Sequence, residues 1–427
     1  MSRRPDRAGA VDGCFLAYSA TRGVNTVIGY SLQLPPVEVS LEELKAHLAA
    51  RMHLLPALRR RPVRRRATTY WCATARFTID DHVFERRVSA EENIEAVVEE
   101  LRSAPLPPAM PLWQLWLLTP EQGVCTQRSG PVVLLRAHHA AFDGAALAVT
   151  LGTLFGQSGP AGLPASPPAA VGRPTARSWL FAARELANLP HPGHLLPPPP
   201  TPLTGRALPS LAQVDEQRLR QVARASASSV NDVYLATVAE AVHHWFTDNA
   251  TAWQGPVPRL LSALVPIGFR RPDDPLGQGN RITALRVPLP TGPLPARARL
   301  ALVRRATGRI LHPPAHRGAA RLLAHTMPEG FVLPLFLRFC HPGHACMMLS
   351  NMPPLAPLTV LGHPVVHAAV RAFLYQGHAL GFYLARHRGQ AVVTCLADSA
   401  LPDAADLAGH WTRAFEDLHA RTTGQTV

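Results

Sequence analysis

The chain has 427 residues, 47% of them hydrophobic, which is enough for one large or two smaller cores and excludes a disordered segment. Its formal charge is +14, from 43 basic against 29 acidic residues, and with Lys45 the only lysine the excess is almost all arginine. No zinc-finger spacing, basic zipper or aromatic RNA motif accompanies that charge, so nucleic acid is not the expected partner.

The first residues, MSRRPDRAGAV, carry charge but no apolar run and do not read as a signal peptide. GYSLQLP from Gly29 has strand character, and SLEELKAHLAARMHLL has helical spacing with Ser40 as its cap. LRRRPVRRR, Leu58 to Arg66, is either a solvated, internally paired face or a contact for an anionic surface. A charged helix follows at SAEENIEAVVEELRS from Ser89, then the strands WQLWLL and VVLLRAHH. PHPGHLLPPPPTPLTG, Pro190 to Gly205, favours an extended spacer and marks a junction. The expected division is therefore 1–189, a linker 190–205, and 206–427. In the second half SSVNDVYLATVAEAVHHWF places Val230, Val233, Thr237, Ala241 and Trp245 on one helical stripe. LLSALVPI, ITALRVPLP, ACMMLSN and GQAVVTCLA read as short strands. Alternating strands and helices give an α/β class with mixed sheets.

GFVLPLFL, Gly330 to Leu337, is too short to span a bilayer, so a soluble or membrane-peripheral cytoplasmic protein is expected. The six cysteines (Cys14, Cys72, Cys125, Cys340, Cys346, Cys395) show no metal-type spacing and read as reduced, mostly buried thiols, with no metal site expected.

The chemistry concentrates in VVLLRAHHAAFDG, Val132 to Gly144. An apolar strand ends in paired histidines, and alternation separates them: His139 continues the parity of Val133, Leu135 and Ala137, His138 that of Leu134 and Arg136. Gly144 permits a tight turn, and AALAVTLGTLF then reads as an apolar helix. A strand, short loop and helix hold side chains rigidly. A neutral imidazole there suits proton abstraction from an attacking hydroxyl or amine, with a carboxylate to orient or brace it. A structural histidine at a strand end is the plainer reading, but HH with DG at this spacing favours catalysis.

HHAAFDG is similar to the HHxxxDG motif of the condensation-domain and chloramphenicol-acetyltransferase-like superfamily. Within it the chain most resembles the bacterial wax ester synthase/acyl-CoA:diacylglycerol acyltransferase family over nearly its whole length. VDGCFLAYS, PALRRRPV, YWCATARFTIDDHV, MPLWQLWLL, VNDVYLATVAEAV, VPIGFRRPDDPLGQGNRI and MMLSNMPPL carry the likeness, in the family's order. Pro354 stands where the family has a glycine.

The resemblance implies two chloramphenicol-acetyltransferase-like subdomains forming a pseudo-dimer around a central channel. It implies transfer of an acyl group from acyl-CoA to the hydroxyl of a long-chain alcohol or diacylglycerol, with no cofactor beyond the thioester. His139 would be the general base and His138 its support, with Asp143 and Gly144 holding the loop, Asp143 as a brace for an arginine. Trp113, with Pro111 and Leu112, would either shape a pocket near the site or belong to the core. Asn231 and Asp232 would anchor their helix from its first turn near the substrate, and Ser350 and Asn351 would end a strand facing the channel. Two alternatives remain: a condensation-type enzyme acylating a specialised metabolite on oxygen or nitrogen from a CoA or carrier-protein thioester, and a non-catalytic binding module.

Overall fold

The structure, a computed structural model, describes residues 6–66, 68–121, 130–156, 172–189, 191–196, 201–253, 256–270, 279–311 and 313–424. Cys125, the four prolines at 197–200, and 271–278 of the RRPDDPLGQGNR segment lie outside the described residues.

Two mixed sheets organise the chain. The first has the order His367–Arg371, Val27–Gln33, Val132–His138, Trp113–Pro120, Val83–Val88. Only its last pair is parallel. Val27–Gln33 and Val132–His138 are buried along nearly their whole length, which explains why VVLLRA reads as a continuous apolar run. Gly29 faces Arg136 across this pair, and a Cβ on it would lie 1.9 Å from the Leu135 carbonyl oxygen, so any side chain forces the strands apart.

The second sheet runs Ile282–Pro290, Leu260–Gly268, Met347–Asn351, Leu380–His387, Gln390–Asp398, Ala207–Asp215. Met347–Asn351 is parallel to both neighbours, and the other pairs are antiparallel. The chain reaches it from Ile282–Pro290 through the helices Ala296–Ile310, Pro314–Thr326 and Glu329–Phe339, which carry it past Leu260–Gly268 to that strand's other side.

Local sequence sets the helix starts. Ser40 Oγ accepts from the Glu43 N–H at 3.3 Å, and Ser229 Oγ from Asp232 N–H at 3.0 Å. The helix expected from Ser89 begins only at Ile94. Asn93 caps it by accepting from Glu95 N–H at 2.8 Å, while Glu92 folds back on the Ser89 N–H at 3.0 Å. Helix Val230–Asp248 corrects the single-stripe expectation. It is buried nearly all round, since it packs against Ala296–Ile310 and the C-terminal helix Leu407–Thr423 as well as the sheet.

Several segments pack across the seam between the halves, among them helix Glu329–Phe339 on helix Ala10–Arg22. His367–Arg371 becomes the edge of the first sheet, where Arg371 Nε donates to Ser31 Oγ at 2.8 Å. Helix Ala176–Asn188 packs on Pro314–Thr326. The first core therefore mixes Phe15, Leu135 and Leu147 with Leu264, Met348 and Val370, whereas the second lies wholly within 212–418. Cys14, Cys72, Cys340, Cys346 and Cys395 are unbridged. Among the described residues no helix is long and apolar enough to cross a membrane, and no cluster of metal-ligating side chains occurs.

Candidate active site

Strand Val132–His138 ends where the sheet opens, and three backbone bonds fix the turn. The His138 N–H donates to Leu112 O at 3.0 Å, His139 N–H to Thr26 O at 2.9 Å, and Ala141 N–H to His138 O at 2.9 Å. From the other sheet, Gly279 N–H reaches Ala141 O at 2.7 Å and bridges the loop to the start of Ile282–Pro290. The histidine loop is thus clamped between the halves.

The two imidazoles take opposite tautomers. His138 Nδ1 accepts from the Ala140 N–H at 3.0 Å, so its proton is on Nε2, 3.2 Å from both Ser19 Oγ and Thr26 Oγ1. Burial, helped by neighbouring His139, pushes its pKa down to about 4. His138 is spent on bracing the turn.

His139 is arranged for something else. Its Nδ1 lies 3.0 Å from Asn280 Oδ1. The orientation of that amide is decided by its nitrogen, which donates to Asp12 Oδ1 at 2.9 Å and to the carbonyls of His139 and Ala140 at 2.8 and 3.2 Å. An amide oxygen only accepts, so His139 carries its proton on Nδ1 and a lone pair on Nε2. Nε2 has no partner among the described residues. Phe15 stacks on the ring at 4.0 Å and Phe373 meets its edge at 6.2 Å. Burial lowers the His139 pKa from its ordinary 6.5, so the imidazole stays neutral at neutral pH.

Asp12, fully buried on helix Ala10–Arg22, anchors the relay. It accepts from Asn280 N–H at 2.8 Å, from the Trp71 indole at 3.2 Å and from Gly9 N–H at 3.0 Å. Burial pushes its carboxyl up, against these donors.

Asp143 does not touch His139. It caps helix Gly144–Phe155 by accepting from Ala146 N–H at 2.7 Å, and it accepts from Arg281 N–H at 2.7 Å. Arg270 Nη2 reaches both of its oxygens at 3.1 and 3.2 Å, with both partners buried. The expected arginine is therefore Arg270. Gly144 lies under Met352, whose Cε would be 2.5 Å from an added Cβ.

His139 borders a largely apolar cavity of about 290 Å³ between the sheets, lined also by Phe15, Gly144, Met348, Ser350 and Phe373. Ser350 and Asn351 are also among its lining residues. Asn351 donates from Nδ2 to Asn231 Oδ1 and accepts from Arg386 Nη2, both at 3.3 Å.

Five other residues expected near the substrate are not among the described residues lining this cavity. Trp113 belongs to the core: its indole donates to Leu58 O at 2.7 Å and stacks on His82 at 4.6 Å. Pro111 and Leu112 lead into that strand, and Leu112 acts through the carbonyl that receives His138. Asp232 is absorbed in its helix cap, taking Ser229 N–H at 2.8 Å and the Thr307 hydroxyl at 2.5 Å. Asn231 reaches the cavity only through Asn351.

Asn280, Asp12 and Arg270 were not singled out from sequence, although all three lie in quoted motif segments. Their signal is polarity out of place, such as an aspartate inside AVDGCFLAY. Asn280→Ala frees the His139 tautomer and strips Asp12 of the amide donor while leaving it the backbone N–H, so it is expected to lower turnover ~10- to 100-fold. Proton NMR of the histidine N–H signals checks this, and an unaltered Nδ1–H resonance rejects the assignment.

Two mixed-sheet lobes closing on a histidine-lined cavity define the chloramphenicol-acetyltransferase and condensation-domain class of fold. The sequence profile described as "Wax ester synthase/diacylglycerol acyltransferase catalytic domain" matches residues 9–170, and that described as "WS/DGAT C-terminal domain" matches 278–419. The chain belongs to the wax ester synthase/diacylglycerol acyltransferase family.

A Mycobacterium tuberculosis protein named "Probable diacyglycerol O-acyltransferase Tgs4" is 28% identical over 222 residues, 49% of this chain and 44% of that protein. The matched stretch thus spans less than half of that relative's length. A second M. tuberculosis protein, also provisionally named a diacylglycerol O-acyltransferase, is 28% identical over 76% of this chain and 78% of its own. The solved wax ester synthase/diacylglycerol acyltransferase of Marinobacter aquaeolei VT8 superposes with a TM-score of 0.64 at 17% identity, over 98% of this chain and all of that one. A starter condensation domain of rhizomide synthetase, solved with C8-CoA, gives 0.62 at 14% identity over 98% and 95%. At these identities the solved structures speak for the fold alone.

Proposed function

We propose that the protein transfers an acyl group from acyl-CoA to an acceptor hydroxyl, forming wax esters or triacylglycerols. The observation that carries this reading is the lone pair of His139 Nε2, fixed by Asn280 on a histidine that lines an apolar cavity. The acceptor O–H gives its proton to Nε2 as its oxygen attacks the thioester carbonyl. Collapse of the tetrahedral intermediate breaks the C–S bond, and the imidazolium returns the proton to the departing CoA thiolate. Helix Gly144–Phe155 presents its first residues, Gly144 and Ala145, to the cavity, so its positive end favours the oxyanion. His138, Asn280 and Asp12 act by positioning. No serine or cysteine nucleophile is required.

The test is release of free thiol from a panel of acyl-CoAs with long-chain alcohols and diacylglycerols, with ester products identified by mass spectrometry. Absence of ester with every pair rejects the reading. The pH profile adds a sign. Because the folded pKa of His139 lies below 6.5, the base stays active above that value and is lost only as pH falls through the lowered one. The acid limb of kcat/KM is expected below 6.5, and a limb above it removes His139 as the base.

The arginine patch supports peripheral contact with the membrane that holds a long-chain acceptor. Arg60–Arg65 is a strand of a small three-stranded sheet with Asp6–Arg7 and Thr68–Ala73. Arg60 pairs with Asp6 at 2.5 Å and Arg64 lies 3.6 Å from Glu329, while Arg64, Arg65 and Arg66 are exposed. At about 1 kcal/mol per basic residue near an anionic surface, these three give reversible binding. Neutralising Arg64, Arg65 and Arg66 to Gln is expected to reduce co-sedimentation with anionic vesicles at low salt. Equal sedimentation of both proteins rejects this surface.

A further inference from the structure

Most polar atoms that border the cavity are already committed. Tyr383 donates its hydroxyl to Phe373 O at 3.0 Å, Ser350 Oγ lies 3.5 Å from Met352 Sδ, and Asn351 is held by Asn231 and Arg386. Besides His139 Nε2, two more are not. Glu185 Oε2 and His316 Nδ1 are buried without a hydrogen-bond partner among the described residues, and both residues line the same cavity as His139. They come from packed helices: Glu185 from Ala176–Asn188, and His316 from Pro314–Thr326. The His316 ring stacks face to face on Phe181 at 4.0 Å, and Phe181 lies one helical turn before Glu185, so the two polar groups share one wall.

Such groups are costly to leave unmet in an apolar enclosure. Burial pushes the Glu185 carboxyl up, with Arg286 opposing, and pushes His316 down, against a bond to the Ile310 carbonyl. His316 is therefore a neutral imidazole that donates one N–H hydrogen bond to the Ile310 carbonyl and keeps a lone pair on Nδ1. An imidazole lone pair and a carboxyl oxygen both seek a donor.

The geometry points to Glu185 and His316 as a second recognition station in the acyl-transfer cavity, for an acceptor that carries a hydrogen-bond donor (a hydroxyl or an amine) in addition to the hydroxyl that reacts at His139. The inference rests on the proposed function and narrows its acceptor class. A simple alkanol leaves both atoms unmet, whereas the spare hydroxyl of a diol or of a partial glyceride with two free hydroxyls donates to one of them, and the amine of an amino alcohol has enough N–H groups for both.

The experiment compares chain-matched 1-dodecanol, 1,2-dodecanediol and 2-amino-1-dodecanol, both as acceptors with a fixed acyl-CoA and as ligands in isothermal titration without it. The native protein is expected to favour a bifunctional acceptor ~10- to 100-fold in kcat/KM and to bind it correspondingly more tightly. Preference for the diol or for the amino alcohol tells which donor is read. Glu185→Leu and His316→Phe, the second keeping the stack on Phe181, are each expected to bring the ratio of bifunctional to simple acceptor towards one. Melting curves confirm that both variants are folded. Equal use and equal binding of all three ligands by the native protein, or a preference untouched by both substitutions, overturns the station. Selective binding with no ester from any acceptor leaves the station standing and overturns the acyl-transfer reading instead.

Discussion

His139→Ala is expected to lower acyl transfer at least ~100-fold while the protein remains folded. The size follows from how the base is built. Nε2 is the only uncommitted ring nitrogen of the pair, because His138 spends both of its own on Ala140, Ser19 and Thr26. His138 cannot substitute: its nitrogens are occupied in bracing the turn. Stability changes less, since the His139 ring contributes a stack on Phe15 and one bond to Asn280, while its backbone bond to Thr26 survives substitution. Free-thiol release and thermal melting on the same preparation check both halves of the expectation. Near-normal turnover removes His139 as the base, and unfolding makes Asn280→Ala the decisive variant instead.

His138→Ala separates the two histidines further. It removes the acceptor for the Ala140 N–H and leaves the Ser19 and Thr26 hydroxyls to pair with each other at 2.8 Å. Its loss is felt as a shifted loop rather than as a missing base.

What sequence could and could not reveal follows from the kind of signal each residue leaves. VVLLRAHH is legible because a strand buried on both faces must be apolar throughout, so two histidines at its end stand out. Helix starts at Ser40 and Ser229 are legible because capping is local chemistry. The relay Asp12–Asn280–His139 is not, since its bonds join positions 268 and 141 residues apart and no periodicity records a contact at that range. His367–Arg371 escaped notice for the related reason that HAAVR is short and its partner Val27–Gln33 lies in the other half. Trp113 left two readings open from sequence. Its indole donates to the Leu58 carbonyl within the core, and only the Leu112 backbone touches the histidine turn.

The second large effect concerns stability. Asp143→Asn is expected to destabilise the fold by about 3–5 kcal/mol, the usual result of removing one member of a buried ion pair. Asparagine keeps an oxygen for the Ala146 N–H, so the cap itself is preserved. It has no charge to set against Arg270, and its amide nitrogen would face another donor, either Arg270 Nη2 or Arg281 N–H. Arg270 is only 5% exposed and cannot turn to water without opening the contact between the histidine loop and Gly279, to whose carbonyl it also donates at 2.8 Å. Activity therefore falls with stability, because the clamp that fixes Asn280 against His139 loosens. Arg270→Met is expected to be costly for the same reason. The double substitution Asp143→Leu with Arg270→Met should cost less than the sum of its two single changes, since the two side chains are direct partners and are removed together. Urea unfolding of the four proteins measures this coupling. A fully folded Asp143→Asn with lost turnover would instead assign the carboxylate a direct part in the chemistry.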